Sequence, residues 1–236
     1  VRTYGWSADS KYLVYIKNAQ GFESLWQYHV RSGTTKRVPG LDAYTDLAQV
    51  AVSPAENLVA VIASSTRISP RVVSVPFGEP DVPPLLTSVP ADTPSIAVII
   101  NDGERIHRRA GTETIPPEQL AEGQPVSWRG HDGETVYGLY YPPTSQQFTG
   151  IGAPPLIVHV HGGPTSQVRA GYAPVAQFFA TRGYAFLTVN YRGSTGYGKA
   201  YMDKLRGSWG LYDVEDSATG AAYLAQAGLA DPARFV

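Results

Sequence analysis

The sequence predicts repeated short β units in its first part and an α/β unit with a parallel sheet in its last part. Two observations carry this. A turn-and-strand pattern recurs 46 positions apart within the first 80 residues, and from residue 155 near-continuous apolar runs alternate with helical patterns. A third observation, the pair Gly162-Gly163 directly after an apolar run, indicates where chemistry could sit.

The β part comes first. Trp6-Ser7-Ala8-Asp9-Ser10 reads as a turn and is followed by the apolar run Tyr12 to Ile16. Val52-Ser53-Pro54-Ala55-Glu56 repeats the turn, and Leu58 to Ile62 repeats the run. Each leads to another short strand, Leu25 to Val30 and Val72 to Val75. A period near 45 with several short strands per unit suits a β-propeller blade. Two unrelated hairpins in a sandwich are the alternative. Propellers close with about four to eight blades, so two blades imply either an incomplete chain or an accidental repeat.

A further β segment is expected over Ser95 to Ile100, turning at Asn101-Asp102-Gly103, where glycine accepts the positive φ of a tight hairpin. Ala110 to Pro125, rich in Pro, Glu, Gln and Gly without periodicity, reads as a linker. Gly130-His131-Asp132-Gly133 is another hairpin turn, followed by a strand from Thr135 to Tyr141 that Pro142-Pro143 stops.

Leu156 to Val160 has the texture of a strand covered on both faces of a parallel sheet. The pattern predicts a helix from about Ala173 to Arg182, closed by Gly183. Ala185 to Val189 is a second buried strand. A second helix is expected from about Asp213, with Val214, Ala218, Ala221, Ala222 and Ala225 on its apolar face and Asp213 with Asp216 as a capping pair. Gly228 ends it, and Asp231-Pro232-Ala233-Arg234-Phe235-Val236 begins a third strand. Strand, helix, strand, helix, strand gives a right-handed α/β sheet.

Composition excludes several classes. The 236 residues are 43% hydrophobic and 17% charged, which describes a folded chain. The formal net charge of -1 gives no reason to expect nucleic acid or an anionic membrane as partner. No apolar run approaches the roughly 20 residues of a membrane span. The absence of cysteine removes disulfide and thiolate chemistry. Val1 is not followed by a charged-then-apolar leader, which reads as a processed or excised chain and carries the expectation of a cytoplasmic location.

The strongest chemical signal is His161-Gly162-Gly163-Pro164 after a buried strand. A tetrahedral intermediate carries a negative oxygen that needs preorganised donors, and consecutive glycines leave backbone N–H groups unshielded. A plain tight turn is the alternative. His161 stands two residues from His159, on the same side of a strand. It is read as a hydrogen-bonded group that orients the glycine turn rather than as a base. Two strand histidines without a third ligand make a poor zinc site, so no metal is expected. Gly193 to Lys199 has the G-x-x-x-x-G-K spacing of a phosphate loop, but Ala200 stands where a Mg²⁺-binding hydroxyl belongs. It is read as a sharp loop with glycines for close packing. Tyr191 and Arg192 fall at the carboxyl end of a strand, where α/β sheets present function. They are candidate substrate contacts, with loop anchoring as the equal alternative for Arg192. Arg206, Trp209 and Asp213 are expected to brace the core.

Three runs together resemble the prolyl oligopeptidase family of serine peptidases, in its acylaminoacyl-peptidase or dipeptidyl-aminopeptidase-like branch. They are Pro155 to Pro164, Asn190-Tyr191-Arg192-Gly193-Ser194-Thr195-Gly196-Tyr197-Gly198, and Arg206-Gly207-Ser208-Trp209-Gly210 with Asp213-Val214-Glu215-Asp216. Asp231-Pro232-Ala233-Arg234 resembles the lead-in to that family's nucleophile strand. The resemblance implies the last blades of a β-propeller over 1–109, a linker over 110–125, and the N-terminal half of an α/β-hydrolase domain over 126–236. It implies hydrolysis of short peptides by acyl transfer, with Gly163 N–H on the substrate carbonyl oxygen, Gly162 letting the backbone turn, and Pro164 fixing the turn direction. No Gly-x-Ser-x-Gly occurs in the sequence. The serine, aspartate and histidine of the triad are therefore expected outside it, and the chain alone is expected to be inactive. An esterase or lipase using the same turn and a catalytically dead binding module are the other readings. No cofactor is implied. The expected partners are a short peptide and the remainder of the catalytic domain, and an oligomer is compatible with the sequence.

Overall fold

The computed structural model describes residues 3–78, 104–145, 147–163 and 165–236. The segment Ser95 to Ile100 with its turn Asn101-Asp102-Gly103, and Pro164, lie outside the described residues.

The first part forms two four-stranded antiparallel sheets. One holds β1 (Tyr4–Trp6), β2 (Tyr12–Ala19), β3 (Phe22–His29) and β4 (Thr34–Arg37) in that order. The other holds β5 (Asp46–Val52), β6 (Leu58–Ser65), β7 (Ile68–Pro76) and β8 (Arg105–Arg109). The repeat has a physical cause. Ser7 N–H donates to the Tyr12 carbonyl at 2.9 Å, and Ser53 N–H donates to the Leu58 carbonyl at 2.8 Å, so the same turn launches β2 and β6. Alternate residues of the strands, among them Val14, Leu25, Leu47, Val50, Val59, Val61, Val73 and Val75, fill one core shared by both sheets. These are blades of a propeller, each a sheet that buries a face against its neighbour.

The β2–β3 hairpin closes on Gln20 and Gly21, with φ of 56° and 85°. Two positive φ values make the type I′ turn that matches strand twist, and glycine takes the second at no steric cost. Its counterpart is Thr66-Arg67 between β6 and β7. Both turns face the last part of the chain.

That last part is a mixed sheet ordered β11-β12-β10-β9. Its strands are β9 (Gln124–Arg129), β10 (Thr135–Tyr141), β11 (Leu156–Val160) and β12 (Ala185–Asn190). β11 and β12 are parallel, whereas β10 runs antiparallel to both its neighbours. Leu156 N–H bonds the Arg234 carbonyl and Val158 N–H bonds the Val236 carbonyl, so the end of the chain extends the sheet on the open side of β11. All six residues of β12 are buried, the polar Thr188 and Asn190 among them, as expected of a largely apolar strand covered on both faces. Ala185, Leu187 and Val189 face α3 (Tyr212–Gln226), whereas Phe186 faces α1 (Pro174–Ala180). A short helix, α2 (Lys199–Asp203), sits in the loop between.

Helix α3 corrects the expected face. Val214 is 60% exposed, and Ala218 and Ala222 are exposed, whereas Asp216, Gly220, Ala221 and Leu224 are buried. The buried stripe is set by two tertiary partners, Arg192 for Asp216 and the Trp128 ring for Gly220. Asp213 and Asp216 do not cap: the N-cap is Leu211, without a side-chain cap bond. Arg206 and Trp209, expected to brace the core, are exposed, Arg206 pairing with Asp203.

Candidate active site

The site is built at the carboxyl end of β11, the third strand of its sheet in chain order. At Val160 the strand ends, and His161, Gly162 and Gly163 turn away from it. Gly163 has φ +81°, in the left-handed region that side chains avoid, so the turn itself requires glycine. A Cβ placed at Gly162 or Gly163 would meet nothing within 4 Å, and both residues are exposed. Among the described residues, neither N–H is donated to another group.

His161 is fixed from three sides. Its ring stacks on Tyr191 with centroids 4.5 Å apart and planes 17° from parallel. The Tyr191 hydroxyl donates to the His161 carbonyl at 3.2 Å. His161 Nε2 lies 2.8 Å from Ser194 Oγ, and that hydroxyl donates to the Tyr191 carbonyl at 2.7 Å. With its proton so engaged, Ser194 accepts from Nε2–H. The wholly buried Ser194 is a bracket, not a nucleophile. Burial pulls the His161 pKa down and His159 adds to this, while the Gly162 carbonyl, 3.2 Å from Nδ1, opposes it by favouring the protonated ring. A neutral ring that holds the start of the turn is the result.

Tyr191 and Arg192, the candidate substrate contacts, are both buried. Tyr191 spends its hydroxyl and ring on His161. Arg192 has no exposed surface; its guanidinium bonds Asp216 and Asp132 and lies 3.8 Å over the Tyr212 ring. Its own backbone N–H donates to Asp216 Oδ2 at 2.9 Å. The forked, permanently charged group is thus consumed in anchoring the loop after β12 to α3. In that loop Gly193 is pressed against Leu205, where a Cβ would stand 2.6 Å from the Leu205 Cβ. Lys199 pairs with Asp203 at the surface. Gly193 and Gly196 therefore serve close packing, whereas at Gly198 a Cβ would meet nothing within 4 Å and the φ of +91° calls for glycine.

Sequence reasoning missed Asn190, the last residue of β12. Its Oδ1 accepts from Val168 N–H at 2.7 Å and its Nδ2 donates to the Val168 carbonyl at 2.9 Å. A side-chain amide here imitates a strand partner for the segment after the glycine turn. The signal was an amide closing an otherwise apolar run. Gln177 was missed as well. Inside α1 and buried, it bonds both backbone groups of Ala121 and the Thr66 carbonyl, stapling blade, linker and helix.

Comparison with known proteins places this geometry. Residues 171–236 match the model of the prolyl oligopeptidase family. The chain is 37% identical over 117 residues to dipeptidyl aminopeptidase BIII of Pseudoxanthomonas mexicana, covering 44% of this chain and 17% of that protein. A solved puromycin-hydrolyzing peptidase of Mycobacterium tuberculosis superposes with a TM-score of 0.82 at 27% identity, over 99% of this chain and 32% of that one. A solved puromycin hydrolase gives 0.80 at 31% identity, over 99% and 32%. The chain thus spans about a third of the length of these solved relatives.

Proposed function

We propose that the chain belongs to the prolyl oligopeptidase family and supplies the oxyanion-hole part of a serine peptidase that hydrolyses short peptides by acyl transfer. The observation that carries this reading is the turn at Gly163: a left-handed glycine at the mouth of a central strand, with an exposed N–H that no described group accepts.

The chemistry follows. A serine hydroxyl attacks the peptide carbonyl while a histidine takes its proton, and an aspartate orients that histidine. The carbonyl oxygen becomes an oxyanion, and Gly163 N–H donates to it. The second donor is the N–H of the residue after the nucleophile. This division of labour assigns the triad to residues outside this sequence, which has no Gly-x-Ser-x-Gly. Gly162 lets the backbone turn, and His161 holds its entry. The blades restrict access to short or unfolded substrates. We place the blades in 1–109, the linker in 110–125 and the hydrolase part in 126–236.

The complete gene product provides the test. It should label with a fluorophosphonate and cleave short peptidyl substrates. Gly163→Val keeps an N–H but cannot hold φ +81° without strain, so the donor should be displaced and kcat should fall on the order of 100-fold, the scale of an oxyanion donor taken out of play. The 236-residue chain alone should neither label nor turn over. Cleavage of long acyl esters without any peptide cleavage would replace the peptidase by an esterase, and a complete product that does neither would be a binding module.

A further inference from the structure

The segment behind the glycine turn is anchored both within its own domain and to the blades. Ser166 accepts at its carbonyl from Thr195 N–H at 2.9 Å, and Val168 is clasped by Asn190. Those bonds are internal to the hydrolase part. The next residues reach the other way. Ala170 N–H donates to the Gly21 carbonyl at 2.8 Å, and its carbonyl accepts from Thr45 Oγ1 at 2.5 Å. Gly171 packs against Asp46, where an added Cβ would stand 2.5 Å from Oδ2.

Between them, Arg169 holds two carboxylates. Its Nη1 lies 3.3 Å from both oxygens of Glu23, and its Nε lies 3.1 Å from Asp46 Oδ1. Glu23 is on β3 of the first blade and Asp46 opens β5 of the second. The Glu23 side chain is only 8% exposed and also accepts from Leu47 N–H at 2.9 Å and Asn18 Nδ2 at 3.3 Å. A carboxylate so placed needs a cation, because a buried charge is tolerated only when paired. The blades supply two acids to one spot, and the cation comes from the loop six positions after Gly163.

We propose that Arg169 is a positioning residue for the reaction: paired with Glu23 and Asp46, it ties the oxyanion turn to the seam between the two blades, so that the turn is preorganised only while the blades are seated on the hydrolase part. This rests on reading Gly163 as the oxyanion donor. Arg169 touches no substrate. It acts through the backbone of 165–171, whose register decides where the Gly163 N–H points, and small displacements of such donors are costly to rate.

The test uses the complete gene product with Arg169→Met, Arg169→Lys and Glu23→Gln. Activity is expressed per active site titrated with a fluorophosphonate, and amide hydrogen exchange is followed in the peptide spanning 165–171. Arg169→Met should lower kcat on the order of 10-fold with KM moved by less than about twofold, a split that a loss of folded protein does not produce. Arg169→Lys should recover most of the rate. Exchange in 165–171 should rise about fivefold or more while β2 and β3 keep their protection. If Arg169→Met does not fold, Glu23→Gln, which keeps the amide-accepting oxygen but removes the charge, should show the same split and the same local exchange. An unchanged kcat per site, or unchanged exchange at 165–171, overturns the proposal. Should the wild-type product show no hydrolysis at all, the peptidase reading fails, and the exchange measurement alone decides whether Arg169 anchors the turn.

Discussion

Arg192 and Asp216 form an ion pair in which neither side chain reaches solvent. The pair joins the end of β12 to the second turn of α3, and it completes itself with Asp132 from the β9–β10 turn and the Tyr212 ring. Two desolvated charges cost several kcal/mol each unless every lone pair and proton is matched, and here the match includes the Arg192 backbone N–H.

Removing one partner should therefore be worse than removing both. Arg192→Met should destabilise the complete gene product by about 3–5 kcal/mol, because Asp216 is left charged and buried. Arg192→Met combined with Asp216→Leu should cost clearly less. Chemical denaturation of the two variants beside the wild type checks the order; equal losses would show that the pair is not the source.

Gly220 makes a prediction against helix propensity. Alanine is preferred over glycine inside a helix by about 1 kcal/mol. At Gly220, however, an added Cβ would stand 2.7 Å from Trp128 Cζ2 and 3.0 Å from Leu187 Cδ2. The Trp128 indole is itself held by its Nε1–H bond to Thr219 Oγ1 at 3.1 Å. Overpacking of about 1–3 kcal/mol should win. Gly220→Ala is expected to lower the melting temperature, and a rise would mean that Trp128 yields.

Tyr141 sets an alkaline limit. Its hydroxyl is buried without a hydrogen-bond partner among the described residues, and burial pushes its pKa from 10.0 up to about 12. The unfolded chain ionises near 10 while the folded one resists, so this contribution is intact below pH 10 and is lost as pH rises toward 12. Tyr141→Phe removes both the unpaired hydroxyl and that loss. At pH 7 it should be neutral or stabilising by up to about 1 kcal/mol, with an advantage that grows above pH 10. Denaturation curves at pH 7 and pH 11 measure it, and a destabilised variant at pH 7 would show that the hydroxyl is satisfied.

These residues also show what the sequence makes legible. The blade repeat could be read because Ser7 and Ser53 perform one local bond, and β12 because burial on both faces leaves a largely apolar run. The glycine turn could be read because φ +81° at Gly163 is a local demand. Strands β4 and β8 could not: Thr34–Arg37 is wholly exposed, and Arg105–Arg109 carries three arginines and a histidine. Each is a strand only because a neighbouring strand pairs with it. The face of α3 was misread for a similar reason. Asp216 belongs inside because Arg192 neutralises it from 24 positions away. For Arg192 the position at a strand end is visible, and substrate contact and loop anchoring look equal there, because its two acidic partners lie elsewhere in the chain. The Arg169 cluster draws on β3, β5 and the loop after β11, and no window of sequence contains all three.

A structure of the complete gene product bound to a peptidyl aldehyde or boronate tests the central claim most directly. The tetrahedral oxygen of the adduct should lie about 2.7–3.1 Å from the Gly163 nitrogen, with His161 still stacked on Tyr191. An adduct whose oxygen points away from the turn, with Gly163 N–H given to a protein carbonyl, would contradict the account.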